Sequence, residues 1–171
     1  MIKDSIVKAL SDQMNAEYYS AYLYLSMSVN AEKIGHKGIA KWFFVQAQEE
    51  MTHGLRFYRY ILERGATPSL ADIKAPASSF GSVKELFEKT LAHEKSVTAS
   101  IDKLATLAQD EKDHATYSFM LWFVDEQIEE ESGVEDILSK INFAGNHPGP
   151  ICNLDTKLGG RIFTDATAEE E

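Results

Sequence analysis

The chain is expected to be all-α, a four-helix bundle with one long crossover between helices two and three and a short fifth helix. Three observations predict this. Four long segments repeat apolar residues at spacings of three and four. The 4 prolines and 10 glycines are sparse and mostly clustered, which leaves long stretches without a breaker. The one long interruption falls between the second and third segments.

The first helix is read from about Ser5 to Ile34, ended by Gly35. Its inward seam is Val7, Leu10, Met14, Glu17, Ala21, Tyr24, Ser28 and Ala31. The second runs from about Gly38 to Arg64, ended by Gly65, with the seam Ile39, Phe43, Gln46, Glu50, His53, Phe57 and Tyr60. The turn between them, Gly35-His36-Lys37-Gly38, is short, so the two should be antiparallel neighbours. Ala66 to Gly81 follows, with Pro68 and Pro76, and is too long for an ordinary bundle turn. It can extend ~50 Å at about 3.3 Å per residue, against ~42 Å for a helix of about 28 residues. It can therefore cross the length of a bundle. Ser82 with Glu85 has the spacing of a capping box for the third helix, Val83 to about Gln109. That seam reads Phe87, Leu91, Glu94, Ile101, Leu104 and Ala108. After Asp110 to Asp113 the fourth helix runs to about Ile141, with the seam Met120, Phe123, Gln127, Glu130, Val134, Ile137 and Ile141. Asn146 to Pro150 breaks the chain, and a short helix is expected from Ile151 to about Leu158. Residues 1–163 are read as one domain. The small, acidic residues 164–171 are read as a disordered tail.

Composition narrows the partners. With 17 basic and 27 acidic residues the formal charge is −10, which argues against nucleic acid or an anionic membrane. The charge is compatible with cationic ligands, although many soluble proteins are as acidic. Cys152 is the only cysteine, which excludes an intrachain disulfide and a multi-thiolate metal site. No apolar leader is evident at the start, and no run approaches the length of a membrane span. A soluble cytoplasmic protein is the default expectation.

The seams share one oddity. Glu17, Glu50, Glu94 and Glu130 stand where their neighbours mark core. Burying an ionised carboxylate costs several kcal/mol unless it is paired or bound to a cation. Their heights agree: Glu17 and Glu50 lie ~18 Å along their helices, Glu94 ~17 Å and Glu130 ~25 Å, all near the middle of a bundle about 42 Å long. One buried cluster follows. His53, three residues after Glu50, lies one turn on along the same face. Four carboxylates carry −4 and two divalent ions +4. Oxygen donors with one imidazole suit iron or manganese better than structural zinc. Helices turned so that these glutamates face solvent, or a polar network fixing bundle register, are the alternatives.

Carrying Glu17 with Tyr24, Glu49-Glu50-Met51-Thr52-His53, Glu94, and Glu126-Gln127-Ile128-Glu129-Glu130, the chain resembles the bacterial non-haem ferritins over residues 1 to 163. The resemblance implies a ferritin-like bundle with an intrasubunit ferroxidase centre. It also implies a shell of twenty-four identical subunits storing hydrated ferric oxide. Fe(II) would be oxidised by dioxygen or hydrogen peroxide. One iron site would use Glu17, Glu50 and His53, and the second Glu50, Glu94 and Glu130. A possible third would use Glu49, Glu126, Glu129 and Glu130. Gln127 would stand beside the pair, and Tyr24 could supply an electron. The plainer readings are a core tyrosine bonded to a ligand carboxylate, and a solvated acidic face for Glu129 and Glu131. Trp122 reads better as core packing than as an electron donor. His36, His93, His114 and His147 read as surface residues.

Three rivals remain open. Met51 matches the haem-ligating methionine of bacterioferritins, but such proteins carry a second Glu-x-x-His where this chain has Gln127-x-x-Glu130, so no haem is expected. A non-storage di-iron oxidoreductase would also normally carry that paired motif. A DNA-protecting shell protein would be expected to have a basic tail.

Overall fold

The structure, a computed structural model, describes residues 2–145 and 147–167. It contains α1 (Asp4–Lys33), α2 (Lys37–Glu63), α3 (Val83–Asp110), α4 (His114–Ala144) and α5 (Pro148–Leu158). Among the described residues there is no strand. α1 packs on α2, α3 on α4 and α1 on α3, while α5 closes one end against α2 and α4.

Polar side chains on α1 hold the crossover in place. Ser11 Oγ accepts from Ser69 N at 3.2 Å, and Asn15 bonds Ser69 O at 2.8 Å and Ala71 N at 2.9 Å. Further along, Ser26 donates to Ala77 O and Asn30 to Ser78 O. Residue numbers rise together on both segments, so the crossover runs parallel to α1 along its whole length. α3 then runs back. Thr90 meets Met27, His93 meets Ser20 and Ser100 meets Gln13. α3 is therefore antiparallel to α1 and parallel to α2, as a crossover spanning the bundle requires.

Apolar burial is split into two slabs. One contains Met27, Phe43, Phe87, Val134 and Ile141; the other contains Met14, Phe57, Ile101, Met120 and Phe123. Side chains such as Phe43 and Phe57 are fully buried, and burial of this kind is worth ~1.5–3 kcal/mol each. Every long helix places buried polar side chains between the slabs: Glu17 on α1, Glu50 and His53 on α2, Glu94 on α3, Gln127 on α4. The carboxylates at mid-seam thus form a layer across the bundle.

The helix ends agree with the capping chemistry read from sequence. Ser82 Oγ accepts from Glu85 N at 3.1 Å, and the Glu85 carboxylate accepts from Gly81 N at 2.8 Å. Asp113 caps α4 through Thr116 N at 3.1 Å and pairs with Arg64 from the end of α2 at 3.0 Å. α2 lacks a cap of its own. Its Ile39 N–H donates instead to Asp155 of α5 at 2.8 Å. Gly38 permits this docking, because a Cβ there would lie 1.8 Å from the Asp155 carbonyl oxygen.

Two expectations need correction. α5 begins at Pro148 rather than Ile151, because a proline in the first helical turn gives up an N–H that needs no partner. α4 continues past Ile141 to Ala144. Thr164 and Ala166, in the segment read as a tail, line a cavity with residues of α2 and α4. Thr167 is buried, and its backbone N–H and hydroxyl donate to Asp165 at 2.9 and 2.7 Å. Composition measures what a segment can bury against itself, whereas this one lies on a surface already built by α2 and α4. Residues 168–171 of the expected tail lie outside the described residues.

Candidate metal centre

The polar layer holds one tight group of ligand atoms. Among the described residues, Glu17, Glu50 and His53 each bring one donor within 4.8 Å of the others, and all three are buried. His53 Nδ1 lies 3.4 Å from Glu50 Oε2. Helical spacing produces the pairing: residues three apart stack on one face of α2, and Glu17 of α1 faces them from the adjacent antiparallel helix.

Glu94 and Glu130 stand outside that group and are held by neutral side chains. Tyr24 Oη donates to Glu94, as does Gln127 Nε2 at 3.2 Å. Gln127 also reaches Thr98 Oγ1 at 3.2 Å. Gln46 Nε2 donates to Glu130 at 2.5 Å, and Gln13 Nε2 to Glu17 at 2.8 Å.

The charge state follows from this surrounding. Burial pushes Glu17 up to about 7, against hydrogen bonds from Gln13 and Glu50. Burial, then the Glu94 charge, pushes Glu130 up to about 8. Burial followed by the charges of Glu94, Glu17 and Glu130 raises Glu50 well above the carboxylate range. Glu94 is also raised, chiefly by burial. No cation appears among the leading influences on Glu17, Glu50 or Glu94. Burial and then the Arg56 charge lower His53 to about 4, so its imidazole is neutral near pH 7 and its lone pair is free to bind. Buried carboxyl oxygens and one neutral nitrogen, with Arg161 acting on Glu130 alone of the four inner glutamates, fit a pair of divalent cations.

A second acidic cluster lies beside the layer. Glu49, Glu126, Glu129 and Glu130 line a cavity of ≈ 390 Å³ with Trp42, Thr52, His53, Arg161, Thr164 and Ala166. Glu129 is exposed, while Glu49, Glu126 and Glu130 are half-buried. Arg161 forms an ion pair with Glu49 and donates a second hydrogen bond to Gln46 Oε1.

Sequence reasoning missed several partners. Gln13 was recoverable, since it lies one turn before Glu17 on α1. Arg161 was not, because nothing local signals that residues after α5 return to α2. His93 was read as a surface residue, yet it is half-buried. It bonds Ser20 Oγ at 2.8 Å and lies edge-on to Tyr24 at 5.9 Å, and burial lowers it to about 4. Trp122 packs as expected, but its ring stands 5.5 Å from that of His53. Met51 is exposed on α2. Nothing in the structure requires glycine at position 133.

Comparisons with known proteins identify the family and the fold. The ferritin-like domain profile matches residues 7–144. A probable bacterial non-heme ferritin-like protein of Haemophilus influenzae is 40% identical over 159 residues, covering 93% of this chain and 96% of that protein. The bacterial non-heme ferritin of Staphylococcus aureus (strain USA300) is 37% identical over 165 residues, covering 96% and 99%. Among solved structures, an open pore ferritin from Archaeoglobus fulgidus superposes with a TM-score of 0.94 at 41% identity, covering 95% of this chain and 99% of that one. A structure described as a humanized archaeal ferritin gives 0.95 at 43%, covering 96% and 99%. The chain belongs to the ferritin family and is similar throughout to its bacterial non-haem members.

Proposed function

We propose that the protein stores iron, oxidising Fe(II) at an intrasubunit ferroxidase centre and depositing ferric oxyhydroxide inside a hollow homo-oligomeric shell of twenty-four subunits in the cytoplasm. The observation that carries this is the buried meeting of Glu17, Glu50 and His53 from two helices, with Glu94 buried in the same layer.

Two Fe(II) ions are the substrate. Glu17, Glu50 and His53 hold one, and Glu94 and Glu130, sharing Glu50, hold the other. For this Glu94 turns from Tyr24 and Gln127, and Glu130 from Gln46. Protons on Glu17 and Glu130 leave as metal enters. Together the two ions supply two electrons. These, with two protons, reduce dioxygen to hydrogen peroxide, or hydrogen peroxide to two waters. Gln127, once released by Glu94, can donate to oxygen or water bound at the pair. With a third Fe(II) at the outer position, one electron from Tyr24 would bring the total to four, reducing dioxygen to two waters with the phenol's proton among the four consumed. Until then burial holds the phenol well above its ordinary range and keeps it protonated. After oxidation the ions carry +6 against −4 of carboxylate, and bridging oxo or hydroxo groups must supply the difference. Glu49, Glu126, Glu129 and Glu130 offer a third position beside the cavity, on the way to the mineral.

The test is Glu130→Ala. Stopped-flow absorbance of the ferric product should show rapid oxidation slowed by about tenfold or more, with the shell still assembled by size. An unchanged rate would defeat the assignment of the second position. The haem reading gains nothing from α4, which offers Gln127 and Glu130 at the matching positions. A Soret band in the purified protein would revive it.

A further inference from the structure

We propose that Arg161 is a positioning residue for the outer acidic cluster, its guanidinium standing as a tethered cation where a third metal ion would be held. The proposal rests on the outer-site reading above.

Three contacts support it. Arg161 donates to the Glu49 carboxylate and to Gln46 Oε1. Gln46 turns its amide nitrogen to Glu130 at 2.5 Å. With an acceptor on one side and a donor on the other, the Gln46 amide has only one orientation that satisfies both. Arg161 is thus joined directly to Glu49 and through Gln46 to Glu130, two of the four outer carboxylates. The guanidinium also lies over the Trp42 ring at 4.9 Å, which places it in the cavity wall rather than in solvent. Its charge acts on Glu49, Glu126 and Glu130 alike.

A consequence follows for any ion arriving at Glu49. It must first displace a charge-assisted bond, and its departure lets the guanidinium return. Arg161 keeps the third position weak and reversible, which suits a waypoint better than a resting place. The residue can move without disturbing a bundle helix, since it follows α5 and the pair Gly159-Gly160. Its release would also free Gln46, and with it Glu130, to turn toward metal.

The experiment is anaerobic calorimetric titration of Zn(II) into the assembled protein. Wild type, Arg161→Gln, Arg161→Lys and the double variant Arg161→Gln/Glu49→Gln are compared. In Arg161→Gln the third ion should bind about tenfold tighter relative to the first two. Arg161→Lys should restore the weak third position, and the double variant should lose the gain, because Glu49 no longer offers its charge. If Arg161→Gln fails to assemble, Arg161→Met keeps the stem over Trp42 and undergoes the same titration. A third ion indifferent to residue 161, or weakened, overturns the proposal, as does a gain that survives in the double variant. Wild type binding no tight pair of ions at all would instead defeat the inner-site reading, and this proposal with it.

Discussion

Two acidic clusters lie side by side in this subunit, and they differ in what answers their charge. In the inner cluster Glu17, Glu50 and Glu94 are buried, bonded to one another or to amides and a phenol, with no cation among their leading influences. In the outer cluster Glu49, Glu126 and Glu129 range from half-buried to exposed, and Arg161 already pairs with Glu49. Counting carboxylates would rank them alike. Burial with neutral partners makes the inner cluster depend on protons or metal, whereas the outer one is neutralised in part by water and by Arg161.

The sharpest way to break this contrast is to remove the residue shared by both inner positions. Glu50→Ala should lower the rate of rapid Fe(II) oxidation by about a hundredfold or more, ~2.7 kcal/mol in the barrier. Stopped-flow absorbance reads this directly, and a rate near wild type would place the chemistry elsewhere.

A second measurement sharpens the contrast through protons. Glu17 and Glu130 titrate at about 7 and about 8 in the metal-free subunit. Below those values they hold protons that metal must displace, so Zn(II) affinity for the inner pair should rise between pH 6 and pH 8. The slope should approach about tenfold per pH unit for each proton released. Calorimetry in buffers of different ionisation enthalpy counts those protons directly. The same shifts set a sign for stability. Both groups lie above an ordinary value of 4.5, so the folded state binds more protons than the unfolded one between about 4.5 and 7 or 8. Their contribution is fully present below that window and is lost as pH rises through it. The metal-free protein should therefore lose more melting temperature between pH 6 and pH 8 than the double variant Glu17→Gln/Glu130→Gln. Equal losses would show that these carboxyls do not control it.

The smallest effect belongs to the outer cluster. Glu126→Gln should leave the first burst of oxidation largely intact and slow recovery between successive additions of iron by about threefold to tenfold. A slowed first burst would merge the two clusters into one site.

Much of the inner site was legible in the sequence because each of its features is local. Seam glutamates are found by period, Glu50 and His53 by spacing, and their common depth by rise per residue. Even the topology followed from the reach of Ala66 to Gly81. What was not legible depends on contacts between distant segments. Gln46 stood on the seam, but its bridge from Arg161 to Glu130 ties it to residues 115 and 84 positions further along the chain. His93 lies off the apolar stripe of α3, and only the arrival of Ser20 and Tyr24 from α1 covers it.

The hydrogen bond from Ile39 to Asp155 sets the order in which the molecule can be completed. α2 carries Gln46, Glu49, Glu50 and His53, yet the group that closes its first turn belongs to α5, 116 residues beyond Ile39. A nascent chain halted anywhere before residue 155 holds that ligand helix with an open start, however well the four long helices have already met. Maturation of the centre is thereby tied to the emergence of residue 155 from the ribosome.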